Sequence, residues 1–211
     1  MLTSSQTIEA LQILNKCGVK SPSDLYGENL TTKMEELYTL ANRTAAALHE
    51  DWRQDFAKNN GDDTPRWKKV KDQDFINNLD LDNLPSTIRV NEGVIEIDIA
   101  HTPFEFLSAD WQFENAEAAK IAAGLAIRSQ TEELSREEIG DIIHTAWLDR
   151  NDWAKTDEIL GLPYDQLPEV EKIKDDKQFI ICSEVAQDML AEQEALETTN
   201  EGMNDTGMDT N

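Results

Sequence analysis

Apolar residues recur along this chain at two different periods, and the periods predict a mainly helical protein with one small β element. The clearest helical pattern covers residues 32–58, where apolar side chains recur every three or four positions and form a single stripe. The other segments in which this pattern predicts a helix are residues 4–17, 109–128, 136–150 and the stretch from Pro168 to about residue 191.

A period of two replaces the helical pattern between residues 72 and 105. Residues Thr87–Val90 and Val94–Ile99 alternate β-branched and polar side chains on either side of a turn that contains Gly93. This arrangement predicts a β-hairpin. Because an isolated two-stranded ribbon is only marginally stable, we expect the hairpin to lie on the helices or to gain another strand. The predicted fold class is therefore mainly α (α+β).

Three parts make up the predicted domain organisation. Residues 1–31 form an N-terminal helical extension, and residues 32–191 form a compact helical domain that carries residues 72–105 as an insertion with the β-hairpin. Residues 192–211 are polar, acidic and poor in aromatic side chains, so they are expected to form a disordered acidic C-terminal tail.

Charge limits the classes of partner that this chain binds. Acidic residues number 43 against 19 basic ones, a formal net charge of -24. Such a surface repels DNA and anionic membranes, so we expect neither direct nucleic-acid binding nor a membrane partner. The acidity serves solubility, or it imitates nucleic acid and engages a basic protein. The one basic cluster, Arg66–Lys71, pairs with neighbouring carboxylates or contacts a phosphate.

Cysteine usage and the N-terminal sequence indicate a cytoplasmic protein. Cys17 and Cys182 are far apart and match no metal-ligand spacing, and two thiols do not make a disulfide framework. The N-terminal segment has no basic region followed by a long apolar stretch, and no window approaches 18 apolar residues. We therefore expect no cofactor, no metal, no secretory signal and no membrane span.

Aromatic side chains near helix ends and loops are the first candidates for a binding site. Flat faces that suit stacking on a purine are offered by Trp67, Trp111, Trp147, Trp153 and Tyr164, or these residues are core anchors that fix loops to helices. His144 shares a helix face with Trp147 and is a candidate hydrogen-bonding group.

One cationic candidate lies in the helix that is predicted for residues 32–58. Asn42 and Arg43 are neighbours in the middle of that helix, and Arg43 either meets a phosphate or pairs with a neighbouring acid. No spacing of Ser, His, Cys or carboxylates predicts a catalytic constellation, so we expect a protein that is not an enzyme.

Several short motifs occur in an order that carries a family resemblance. Asn42-Arg43 comes first, and Asp110-Trp111-Gln112 opens a later helix. His144, Trp147, Leu148 and Trp153 follow, and Pro163-Tyr164-Asp165-Gln166-Leu167-Pro168 then leads to Lys172 with Asp175 or Asp176. Over about residues 35–182 this ordered set resembles the repeat domain first described in ryanodine receptors and common in small bacterial and phage proteins.

The chain departs from that family's pattern at three places. Thr39-Leu40 stands where the family usually has His-Glu, and residues 60–105 are longer than the usual connection. Lys155-Thr156-Asp157 replaces an aromatic-Gly step that follows the second Trp. If that step helps to shape a pocket, the pocket of this chain differs from the family's or is lost.

The resemblance implies a peripheral recognition module and not an enzyme, because known members of the family are not enzymes and some copies are implicated in nucleotide binding. The expected pocket lies between the helix that ends near Arg150 and the loop Trp153–Pro168. Trp153 and Tyr164 would stack on the ligand, His144 would donate or accept a hydrogen bond, and Arg43 or Arg150 would meet phosphate. The full set of candidate ligand-binding residues is Asn42, Arg43, Trp111, His144, Trp147, Arg150, Trp153 and Tyr164.

Two hypotheses of function remain open from the sequence. The first is a non-enzymatic protein of a bacterial or phage-infected cell that captures a purine nucleotide or an ADP-ribose-like signal, as a sensor or a sponge. The alternative is an acidic protein–protein interaction module, for example a nucleic-acid mimic or a phage accessory or anti-defence protein. The oligomeric state is left open.

Overall fold

Helices form most of the part of the chain that the structure describes. This computed structural model describes residues 2–204, with side chains up to residue 196. Its α-helices are α1 (Ser4–Lys16), α2 (Pro22–Tyr26), α3 (Leu30–Asn60), α4 (Gln73–Asn77), α5 (Ala109–Ser129), α6 (Arg136–Arg150) and α7 (Glu169–Asn204). Its strands are β1 (Trp67–Lys69), β2 (Ile88–Asn91) and β3 (Val94–Asp98). The predicted class, mainly helical with a short hairpin, is confirmed.

Capping explains why α1 and α6 begin where the sequence predicts. At α1 the Gln6 backbone N–H donates to Thr3 Oγ1 (3.2 Å) and the Thr3 backbone N–H donates to Gln6 Oε1 (2.9 Å). At α6 the Glu138 backbone N–H donates to Ser135 Oγ (3.1 Å). These bonds satisfy N–H groups that have no partner inside a helix.

The main core lies where α3, α5 and α7 pack together, with α1 and α6 against them. Its fully buried side chains include Leu14, Leu37, Leu125, Ile127 and Ile143. Leu14 belongs to the predicted N-terminal extension and nevertheless packs in this core.

The small sheet is antiparallel in the order β1-β3-β2. The predicted hairpin is present as β2 and β3, with Asn91 opposite Val94 across the turn. The additional strand is β1, where Lys68 pairs with Ile97. Because β1 has three residues and two of them are lysines, neither its length nor its pattern marks it as a strand in the sequence.

A second apolar cluster joins this sheet to the helices. Val70, Ile97 and Ile99 pack in it with Trp52 of α3 and Trp111 of α5. The sheet therefore lies across one end of the α3–α5 pair, and this places the basic segment around β1 beside two tryptophans.

The last helix extends into the segment 192–211, for which a disordered tail is predicted. The α7 backbone is helical to Asn204, and residues 205–211 lie outside the described residues. Ala, Leu, Glu and Gln are frequent between residues 189 and 197, and these residue types favour helix. Among residues 2–204, no helix has a stretch long and apolar enough to cross a membrane.

Candidate functional site

Three adjoining cavities line one side of the molecule, and together they are called the groove. The central cavity has a volume of about 300 Å³, and its walls include Trp52, Glu114, Trp147, Arg150, Lys174 and Lys177. The loop cavity, of about 210 Å³, is lined by residues that include His144, Trp147, Leu160, Leu167, Lys174 and Asp175. The sheet cavity, of about 270 Å³, is lined by residues that include His49, Trp52, Arg66, Lys68, Asp110 and Trp111.

Shared walls make these cavities neighbours. Trp147 and Lys174 border both the loop cavity and the central cavity, while Trp52 and Glu114 border both the central cavity and the sheet cavity. Pockets for small ligands typically hold about 300–1,000 Å³. Each cavity alone lies near or below the lower end of that range, whereas the three volumes together fall within it.

Trp147 lies at the junction of the central and loop cavities. Its ring is half-buried and stacks on the imidazole of His144, with the ring centroids 6.0 Å apart at an interplanar angle of 24°. The edge of Trp153 meets it at 5.9 Å. Contacts with two rings fix the orientation of the indole at the junction of the two cavities.

The two aromatic residues of the loop have different environments. Trp153 is 63% exposed, donates its indole N–H to Asn151 Oδ1 (3.2 Å) and borders none of the three cavities. Tyr164 is 2% exposed, and its hydroxyl donates to Asp176 Oδ1 (2.5 Å). A stacking role for Tyr164 conflicts with its burial, which fits the alternative of a core anchor.

The close packing of the Tyr164 ring depends on a glycine in α6. A Cβ atom added to Gly140 of α6 would lie 2.1 Å from Cζ of the Tyr164 ring. The missing side chain therefore lets the loop pack directly on α6, and this contact holds the wall that carries Leu160 and Leu167.

His144 is buried and has a partner at each ring nitrogen. Nε2 lies 3.0 Å from the carbonyl oxygen of Leu162, which only accepts, so Nε2 carries a proton. Nδ1 lies 3.1 Å from Asp175 Oδ2. A hydrogen bond there needs a second proton, which is on Nδ1 or on the carboxyl group. His144 thus fixes the loop to α6 and α7, and its burial leaves no ring nitrogen open to a ligand.

Burial raises the pKa of Asp175 to about 6, although the charge and the hydrogen bond of His144 oppose the rise. The carboxylates of Asp176 and Glu171 add to it. The folded protein therefore binds this proton more tightly than the unfolded chain does. The contribution of Asp175 to stability is full below about pH 4 and is lost as the pH rises through about 6.

Asp175→Asn tests this linkage. The amide of D175N can still donate to Nδ1 of His144, but it has no carboxyl proton to lose. Between pH 5 and 7.5 we expect the free energy of unfolding of the parent chain to fall by about 1 kcal/mol relative to the variant. Urea unfolding at both pH values measures this difference. Asp141→Asn, at an exposed position of α6, is the control and should follow the parent chain; equal pH slopes for D175N and the parent would contradict the assignment.

The two arginine candidates lie in different places. Arg43 is on the outer surface between α3 and α7, where Nη1 lies 2.8 Å from Glu192 Oε2, and it borders none of the three cavities. This is the ion pair that the sequence left as an alternative to a phosphate contact, and the neighbouring Asn42 is exposed. Arg150 does line the central cavity, with Nη1 donating to the Ala146 carbonyl (2.8 Å) and Nε 3.5 Å from Glu114.

Trp111 lines the sheet cavity, which is at the opposite end of the groove from the loop cavity. Its indole N–H donates to the carbonyl oxygen of Lys69 in β1 (3.0 Å), which ties α5 to the sheet. The Lys68 ammonium lies 5.6 Å from the centre of its ring. The structure therefore brings Trp111, Trp147 and Arg150 to one groove, with His144 in its wall, and leaves Asn42, Arg43, Trp153 and Tyr164 outside the lining.

Several lining residues are not recognisable from the sequence. Trp52 belongs to the apolar stripe of α3, and nothing in their spacing distinguishes Lys174 and Lys177 from other residues of α7. Arg66 and Lys68 carried a signal, because they belong to the single basic cluster of an acidic chain. The position of that cluster on β1 beside two tryptophans is a property of the tertiary fold, so the sequence could not favour the phosphate interpretation over internal pairing.

The remaining histidines and the two cysteines have backbone partners or lie buried in the core. His49 and His101 also place Nε2 against backbone carbonyl oxygens, of Thr102 (2.9 Å) and Asp62 (2.7 Å). Burial raises the pKa of the Cys17 thiol to about 12 and that of Cys182 to about 11, so both are protonated at neutral pH and are weak nucleophiles. No cluster of His, Cys, Asp and Glu with metal-site geometry occurs within the described part of the chain.

Comparisons of the chain with models of known protein families, with curated proteins and with solved structures give no match.

Proposed function

We propose that this chain is a non-enzymatic binding protein that resembles the ryanodine-receptor repeat and captures a small nucleotide-type ligand in the groove. The ligand is a purine nucleotide or an ADP-ribose-like signal, and the protein serves as a cytoplasmic sensor or sponge for it. The observation that carries the proposal is Trp147, a fixed indole that forms a wall of two adjoining cavities.

The composition of the groove supports a ligand with one flat ring and negative charge. Trp52 and Trp147 both border the central cavity, and aromatic stacking accepts any base because every base has a π face. Arg150, Lys174 and Lys177 line the same cavity beside three carboxylates, those of Asp51, Asp55 and Glu114. Their carboxylate partners hold the cations in position, and an anionic ligand can share them.

The hydrogen bonding of the histidines and the burial of the thiols support binding without turnover. A general base must offer a free nitrogen or oxygen within reach of the substrate. His144 has both nitrogens occupied, and the two cysteines are protonated thiols in the core. The groove therefore offers stacking and charge, which hold a ligand, while among the described residues no cysteine lines its three cavities and His144 has no free nitrogen to act as a base.

Isothermal titration calorimetry of the purified full chain tests the proposal. The ligands are AMP, ADP, ADP-ribose and cyclic adenine nucleotides, and we expect heat of binding from at least one. Trp147→Leu should weaken that binding about tenfold or more, since stacking on an aromatic contributes about 1–3 kcal/mol per base.

Trp67→Leu is the matched control. Trp67 is also half-buried, but its ring packs on the Arg89 guanidinium (4.2 Å) and borders none of the three cavities. We expect this variant to bind as the parent chain does. No heat with any ligand, or an equal loss in both variants, would overturn the proposal.

One observation favours the alternative of a protein–protein interaction module. Helix α7 exposes Val170 (63%), Ile173 (53%) and Ile180 (53%) among acidic residues. An exposed apolar stripe bordered by negative charge fits a partner helix with apolar and basic faces. Under this alternative the groove is incidental, and Trp147→Leu leaves partner binding unchanged.

A further inference from the structure

Arg66 and Lys68 differ from the other cations of the groove. In the central cavity, Lys177 lies 2.6 Å from Asp51 and Arg150 lies 3.5 Å from Glu114. Lys174 lies 2.7 Å from Glu171. Within residues 2–196, neither Arg66 nor Lys68 has a carboxylate oxygen within ion-pair distance, although both line the sheet cavity. Two carboxylates, Asp110 and Glu114, line the same cavity, so its lining balances two cations against two acids, whereas the chain as a whole has a net charge of -24.

Strand geometry explains why these two cations meet. Residues two apart on an extended segment point to the same face, so Arg66, directly before β1, lies on the same face as Lys68, and both border the cavity. The Arg66 guanidinium carbon lies 5.3 Å from the centre of the Trp52 ring, and the Lys68 ammonium lies 5.6 Å from that of Trp111. The alternate residue Trp67 packs instead on Arg89.

The tryptophan rings hold the two cations without neutralising them. A cation over an aromatic face is attracted by the ring quadrupole but keeps its charge and its N–H donors. Phosphate oxygens offer stronger, charge-assisted hydrogen bonds, and the planar guanidinium of Arg66 suits them in particular. The sheet cavity therefore presents two cations that lack an anionic partner.

The carboxylate of Asp110 narrows the class of ligand. Its Oδ2 accepts the backbone N–H of Lys71 (2.8 Å), whereas Oδ1 is buried without a hydrogen-bond partner. An unpartnered buried carboxylate oxygen is unfavourable, and a ligand hydroxyl or amino group would supply the missing donor. The same negative charge disfavours bare phosphate. A compound that carries both a phosphate and hydroxyl groups fits the cavity better.

We infer that the sheet cavity binds the phosphorylated ribose of the nucleotide-type ligand. The phosphate lies on Arg66 and Lys68, and a ribose hydroxyl donates to Asp110 Oδ1. The inference rests on the proposed function for the position of the base, which lies in the adjoining central cavity beyond the shared wall at Trp52. The groove thus separates recognition of the base from recognition of the phosphate.

A charge-removing double variant tests the inference. Arg66→Gln with Lys68→Gln keeps most of each stem and removes both charges. Lys69→Gln is the matched control, because it removes an exposed charge from the same strand on the opposite face. The probes are AMP, adenosine and ribose 5-phosphate, titrated by calorimetry and by ³¹P NMR at low and at high salt. Thermal unfolding checks that each variant is folded.

We expect the parent chain and K69Q to bind AMP and ribose 5-phosphate, with affinities that fall as salt rises. The double variant should bind both phosphorylated probes about tenfold or more weakly than the parent does, since two charge-assisted contacts are removed. Adenosine, which has no phosphate, should bind more weakly than AMP and be unaffected by the double variant.

The other outcomes separate this inference from the proposed function. If AMP binds the double variant as tightly as the parent, the phosphate is elsewhere and the inference is overturned, while the proposed function stands. If ribose 5-phosphate binding is lost in the double variant but Trp147→Leu leaves AMP binding unchanged, the inference stands and the base site is wrong. If neither phosphorylated probe binds the parent chain, the inference is overturned, and the proposed function then stands only if ADP, ADP-ribose or a cyclic adenine nucleotide gives heat of binding.

Discussion

Gly140→Ala is expected to destabilise the protein by about 3 kcal/mol, although the same change in an exposed helix usually stabilises by about 1 kcal/mol. The reason is the Tyr164 ring, whose three nearest atoms would lie 2.1–2.5 Å from the new Cβ. The ring is 2% exposed and its hydroxyl donates to Asp176, so it has no room to move aside. Urea unfolding of the variant and the parent measures the effect.

A double variant identifies the cause of this loss. In Gly140→Ala combined with Tyr164→Leu, the clashing ring is absent, so adding the Cβ should cost far less than it does in the parent background. Asp141→Ala, at an exposed position of the same helix, should change stability by no more than about 0.5 kcal/mol. A neutral or stabilising Gly140→Ala in the parent background would contradict the described packing of the loop on α6.

Asp98→Ala is the second large expected effect, again about 3 kcal/mol of destabilisation. Asp98 is 4% exposed, and its Oδ1 accepts the backbone N–H groups of Arg66 (2.8 Å) and Ala100 (3.1 Å). Its Oδ2 lies 2.5 Å from Nδ1 of His101. Removal of the carboxylate leaves donors without a partner at the end of β3, and each such donor costs about 1–3 kcal/mol.

The loss in D98A should depend on pH. The pKa of His101 is raised because Nε2 bonds to the carbonyl of Asp62 and because Nδ1 bonds to Asp98. Stability from this histidine is full below its unfolded pKa of about 6.5 and is lost as pH rises through the folded value. We therefore expect the free energy of unfolding of D98A to lie further below that of the parent at pH 6 than at pH 8.5. Unfolding curves at both pH values test this, and equal losses would contradict the assigned pairing.

Asp98 also links stability to the proposed site, since it fixes the backbone of Arg66 where that residue enters the sheet cavity. In D98A the guanidinium has a less defined position over Trp52. Weaker binding of AMP by this variant would therefore follow from the same contact that stabilises the sheet.

Helix and hairpin positions were predictable because each depends on local pattern. The stripe in α3, the cap at Ser135 and the alternation around Gly93 each lie within a short segment. Strand β1 was missed because a three-residue strand has no readable period and is stabilised by its pairing with β3.

The site was predictable only in part, since its lining comes from distant segments. Trp147 and Arg150 follow one another on α6, and their place beside the loop was expected. The burial of Tyr164 depends on Gly140, and the pairing of Arg43 depends on Glu192 of another helix. Such long-range contacts decide whether an aromatic residue stacks on a ligand or anchors the core, and sequence spacing does not report them.

Native mass spectrometry of the full chain, purified gently from its own host and then denatured, tests the central proposal most directly. We expect a released small molecule in about one-to-one ratio, with the mass and phosphorus content of a nucleotide-type compound. Protein that carries Trp147→Leu should release none. Protein that arrives without any small molecule and stays unliganded when adenine nucleotides and ADP-ribose are added, above all in complex with a basic protein, would contradict the proposal.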